Sequence, residues 1–153
     1  MRKSIVLLCL LTFLTPAAAG ELVSVRAIEG GFADVRERVV FAVQSQGLVV
    51  DHISQVGAML ERTGKDLGAT RQVYGAAEVL EFCSALLSRN MVEADPTLLA
   101  YCPYGIAIYT LPGNPATTYV AYRRVSAAAT GAQQQALEPI DALLSRIVEE
   151  AAF

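Results

Sequence analysis

Three side chains in this sequence have the chemistry to hold a ligand or start a reaction: Cys83, Cys102 and His52. Two thiols can close a disulfide, bind a soft metal, or attack an electrophile once deprotonated. A histidine adds a base or a metal ligand near neutral pH. His52 is the sole histidine among 153 residues, and the third cysteine, Cys9, sits in an apolar run near the N-terminus. Spacing narrows the chemistry. There is no Cys-x-x-Cys, which removes a thioredoxin-like exchange motif and, with no Cys-x-x-Cys-His, covalent haem of the c type. A closed zinc site needs four ligands, so His52, Cys83 and Cys102 would need a carboxylate. Copper could recruit Met59 or Met91 as a soft ligand. Both methionines fall at helical positions, where core packing is the simpler role. No metal set has diagnostic spacing, and no catalytic residue is assigned.

Other motifs are weaker still. A Ser-His-Asp triad would have to use His52, and no Gly-x-Ser-x-Gly elbow is present. Gly30-Gly31 precedes a helical pattern without the lysine or further glycine of a phosphate loop, and reads as a bend. Arg123-Arg124 could meet an anion, but charged residues at a strand end more simply guard an edge. His52, lone on a strand, reads first as a hydrogen-bonded structural residue.

The elements that must position the two cysteines follow from periodicity. Leu22 to Ile28 alternates as a half-buried strand. Phe32, Val35, Val39, Ala42 and Val43 then recur at helical spacing, with Gly47 as a stop. Leu48 to Val56 reads as a second strand, and Ala58 to Lys65 as a short helix ended by Gly68. Glu78 to Cys83 is a third strand. Ser84 caps a helix through Ala94, where Asp95-Pro96 ends it and can open another turn. Gly105 to Leu111 and Thr117 to Arg123 flank the turn Pro112-Gly113-Asn114-Pro115. The last helix buries Leu137, Ile140, Leu144, Ile147 and Val148, with Pro139 expected in its first turn because deeper placement costs about 3 kcal/mol.

This order predicts an α+β domain of two layers, a largely antiparallel sheet with two long helices on one face. Cys83 ends the third strand, and Cys102 opens the fourth. Antiparallel pairing of these strands brings the thiols to one sheet edge. A structural disulfide, two buried thiols, and a ligand or redox site all remain open. The cap at Ser84 puts Cys83 beside a helix N-terminus, whose partial positive charge favours a thiolate. In Ile106-Ala107-Ile108-Tyr109 and Tyr119-Val120-Ala121-Tyr122, apolar residues occupy both faces. The second face then calls for a cover: the helical inserts, a ligand, or a second copy in a homodimer.

Composition bounds the function. The chain is 54% hydrophobic and 18% charged, below the roughly 25% usual for soluble domains. Met1-Arg2-Lys3, the apolar run Ser4 to Leu14 and Ala17-Ala18-Ala19 have the layout of a signal peptide over residues 1–19. The run is shorter than the ~20 residues of a membrane span. Residues 20–153 then form a single domain that lacks Arg2 and Lys3, so ten basic residues face fifteen acidic ones, a net charge of −5. That balance excludes a basic surface for nucleic acid or anionic lipid. The mature form is expected in the periplasm or outside the cell, with no membrane anchor.

Several segments taken together resemble a known family: Gly31-Phe32 with Val35, Val50-Asp51-His52-Ile53, Glu81-Phe82-Cys83, Ala94-Asp95-Pro96, and Cys102-Pro103-Tyr104 leading into Ile106-Ala107-Ile108-Tyr109. Their order is similar to that of domain of unknown function 302, over about Gly31 to Arg124. The resemblance implies a small α+β domain with a topology like that of the TATA-binding protein (β-α-β4-α), a dimer, frequent export, and for some members a link to sulfur oxidation. The family's usual form places the proline before the fourth-strand cysteine, whereas here Pro103 follows Cys102. The leading expectation is a non-enzymatic exported domain that binds a small ligand or protein partner through Cys83 and Cys102. Its rival is a thiol-dependent redox, metal-binding or haem-binding protein using both cysteines with His52.

Overall fold

The structure, a computed structural model, describes residues 22–153; the signal-peptide segment 1–19 and Cys9 lie outside them. Strand β1 (Val23–Glu29) leads through Gly30, at φ +133°, into helix α1 (Phe32–Ser45). That φ lies in a region side chains with a Cβ rarely adopt, so glycine makes the bend here. Helix α1 buries Val35, Val39, Ala42 and Val43, the stripe set by its sequence period, and stops at Gly47, with φ +73°.

The second strand is far shorter than its sequence reading. β2 is His52–Ser54 alone, because only those residues pair in register with β3 (Ala76–Phe82), the Asp51 N–H adding one bond to the Glu81 carbonyl. Val49 is largely exposed, so the apolar run around it extends without pairing. Helix α2 (Val56–Gly64) follows and lies against β3 so closely that a Cβ on Gly57 would come within 2.8 Å of the Ala77 backbone nitrogen. After β3 come helix α3 (Ala85–Ala94), a 3-10 turn (Pro96–Tyr101), and the hairpin of β4 (Tyr104–Leu111) and β5 (Asn114–Arg123). The Ser84 Oγ accepts from the Leu87 backbone N–H at 3.4 Å, and Asp95 accepts from Thr97 N–H at 2.8 Å. Both caps stand where the sequence placed them.

Helix α4 (Gly131–Glu150) starts earlier than Pro139 implied, so that proline lies inside the helix and not in its first turn. A proline there lacks one backbone donor, but five buried side chains beyond it, Ile140, Leu143, Leu144, Ile147 and Val148, hold the helix on the core. Asp141 fixes the approach to α4. Its carboxylate accepts from the Val125 N–H at 2.7 Å, the Ser126 N–H at 3.1 Å and the Ser126 hydroxyl at 2.5 Å.

All neighbouring strands are antiparallel, in the order β1-β5-β4-β3-β2. Directly paired residues share a face. Leu80, Phe82, Tyr104, Ile106, Ile108 and Val120 therefore point together into the core. Helices α1 and α4 pack against each other, and α3 packs on α4. On the opposite face, Val79, Ala107, Ala121 and Val25 form one cross-strand row. Tyr109 and Tyr119 stack beside it at 5.2 Å between ring centres, and Tyr74 meets Tyr109 edge-on at 5.3 Å. Val25 remains 52% exposed and Val79 and Ala107 are half-buried, while Ala121 is buried, so this apolar face is partly open in the isolated chain.

Candidate functional site

Register places the cysteines. Phe82 on β3 pairs with Tyr104 on β4, so the chain leaving β3 passes the chain entering β4 at the same sheet edge. Cys83 and Cys102 lie there as two half-buried free thiols within hydrogen-bonding reach of each other. The Cys102–Pro103 peptide bond is cis. Helix α3 begins immediately after Cys83 and turns its fourth residue, Ser88, back over the thiols. Ser88 Oγ lies 3.3 Å from Cys102 Sγ and 2.8 Å from the Tyr104 hydroxyl. The site is thus a pair of thiols joined to a pair of hydroxyls.

Burial pushes the Cys83 thiol above its ordinary value, helped by the neighbouring Cys102 and by the negative charge of Asp51; the Tyr104 backbone N–H works the other way. The sequence expectation of a thiolate at the α3 N-terminus is therefore corrected. The helix end does lie beside Cys83, but burial disfavours a charged sulfur there. Burial likewise pushes the Tyr104 phenol up to about 12, against the hydrogen bond with Ser88, with Cys102 and Cys83 adding to the rise. A neutral Cys83 thiol and a protonated Tyr104 phenol characterise this edge at neutral pH.

His52 stands apart in chemistry. It pairs with Glu81 on the open face of the sheet and is exposed. Among the described residues no hydrogen bond or ion pair joins it to a thiol. Its neighbour Asp51 is the residue whose charge reaches Cys83. Met91 is fully buried in the core and Met59 is exposed on α2. Among the described residues no group of three or more His, Cys, Asp and Glu side chains comes together as a metal cage. Ser88 and Tyr104 were not legible as site residues. Ser88 does fall four residues after the Ser84 cap, one turn along the same helical face.

Fold and site together define a small α+β domain with a thiol pair at one edge of an antiparallel sheet. The family model for domain of unknown function DUF302 matches residues 23–151. The chain belongs to that family. The fold is similar to the crystal structure of an uncharacterized conserved DUF302 protein from Bacillus stearothermophilus, with a TM-score of 0.71 and 14% identity, covering 85% of this chain and 98% of that one. No curated protein matches the sequence.

Proposed function

We propose that this DUF302 domain is a binding module whose ligand is captured by the thiols of Cys83 and Cys102, with Ser88 and Tyr104 as supporting hydroxyls. The observation that carries the reading is the placement of two free, half-buried thiols side by side where β3 ends and β4 begins. Structural thiols gain nothing from meeting each other, whereas a paired set offers two soft donors to one ligand. The proposal includes export, which the N-terminal pattern of residues 1–19 supports. Outside the cytoplasm the same pair could also close to a disulfide, and thiol proximity favours that redox reading as the alternative.

The proposal also includes a homodimer formed through the open sheet face. Five strands spaced ~4.8 Å apart and about seven residues long present on the order of 500 Å² each. Two such faces reach the roughly 1,000 Å² at which a specific interface becomes credible. A ligand would then be bound at the sheet edge without competing with the partner.

Intact-mass measurement of protein from its own host, under native and denaturing conditions, tests the binding reading. The expected result is added mass that denaturation releases and that the Cys83→Ser chain lacks. A bare mass with two free thiols contradicts it, and a mass lower by two hydrogens selects the disulfide alternative.

A further inference from the structure

We propose that the Cys83–Cys102 pair binds one soft monovalent cation of the Cu(I) and Ag(I) class in two-coordinate thiolate form. The inference rests on the binding reading above and names its ligand. The donor set decides the class of metal. The strand register sets two thiols side by side, Ser88 Oγ touches Cys102 Sγ, and among the described residues no group of three or more His, Cys, Asp and Glu forms around them. Zinc takes four donors in closed sites. Hard divalent cations need a shell of oxygens. Soft thiolates select Cu(I) and its heavier relative, for which two opposed sulfurs suffice.

Binding has a simple balance. Both thiols lose a proton to solvent, two metal–sulfur bonds form, and the complex carries one net negative charge with no change of oxidation state. The surroundings suit that charge. The α3 N-terminus, with its partial positive charge, begins right after Cys83. The Tyr104 backbone N–H faces the Cys83 sulfur. The Tyr104 hydroxyl can donate to Ser88 at 2.8 Å, leaving the Ser88 hydroxyl free to donate to the Cys102 sulfur at 3.3 Å. Such a chain of donors strengthens along its length. Asp51 is the opposing charge, and it is exposed to water.

The test uses the full chain carrying Cys9→Ser, reduced, so that Cys83 and Cys102 are its only thiols. Cu(I) is supplied from bicinchoninate, with Ag(I) and Zn(II) in parallel. The expected result is one Cu(I) or Ag(I) per chain and no zinc. Cys83→Ser and Cys102→Ser should each weaken binding by more than the roughly 100-fold that loss of a supporting outer-shell group brings. Reversible methylthiolation of both thiols should abolish binding without any substitution, which separates ligand loss from misfolding. Equal binding by either serine variant, or zinc binding as strong as copper, overturns the proposal. Failure to bind Cu(I) by a chain whose two thiols titrate as free overturns the cation but leaves the thiol-centred reading standing. Thiols that stay unreactive after reduction overturn both.

Discussion

Ser88 Oγ and the Tyr104 hydroxyl lie 2.8 Å apart, bridging helix α3 to strand β4 directly over Cys102. Tyr104 is 2% exposed, so its hydroxyl has little access to water. Ser88→Ala should therefore cost about 1 kcal/mol or somewhat more, the usual penalty for an abandoned buried polar group less a small gain in helix propensity. In a double-mutant cycle, Tyr104→Phe should add little once Ser88 is gone, because both changes remove one interaction. Urea unfolding of the four proteins checks this, and additive losses would contradict a shared hydrogen bond.

Alkaline pH should weaken the fold through the same edge. Burial raises Tyr104 from 10 to about 12 and raises Cys83 above 9. Between about pH 9 and about pH 12 the native state thus retains protons that the unfolded state has released, so stability falls as pH rises. Below that window both groups are protonated in both states, and the contribution is whole. The upper part of the decline should disappear in Tyr104→Phe, read from urea midpoints across the range.

Asp141 offers a test away from the thiols. Its carboxylate serves two backbone donors and the Ser126 hydroxyl. Asp141→Ala leaves those donors without a partner and should cost about 2 kcal/mol or more. Asp141→Asn keeps the shape but loses charge-assisted bonds, and should cost less. Thermal melting of both variants ranks them, and equal melting temperatures would contradict the assignment.

The open sheet face makes a separable prediction. Val25 is more than half exposed in the isolated chain, so Val25→Glu should leave folding stability within about 0.5 kcal/mol. It should nevertheless halve the mass seen by light scattering, because a charge enters the apolar row of the proposed interface at its β1 end. A parent chain that is monomeric at high concentration removes the dimer.

Much of this was legible because short-range chemistry repeats itself. The stripe Val35, Val39, Ala42 and Val43, the Ser84 cap and the proximity of Cys83 to Cys102 all follow from periodicity, capping and antiparallel return. What escaped depended on tertiary context. Leu48 to Val56 has strand composition, yet only His52–Ser54 pairs in register. Pro139 sits mid-helix because burial of the following turn outweighs one missing backbone bond. Ser88 reached the site through the phase of α3, and the protonated state of Cys83 through burial, neither of which spacing encodes.

The central claim is that Cys83 and Cys102 act as one two-sulfur site. Phenylarsine oxide, which bridges two adjacent thiols and holds single ones weakly, tests it most directly on the reduced chain carrying Cys9→Ser. The account expects one arsenical per folded chain, both thiols blocked together, and loss of tight binding in Cys83→Ser and Cys102→Ser alike. Two thiols that remain free to alkylate beside excess arsenical would contradict it.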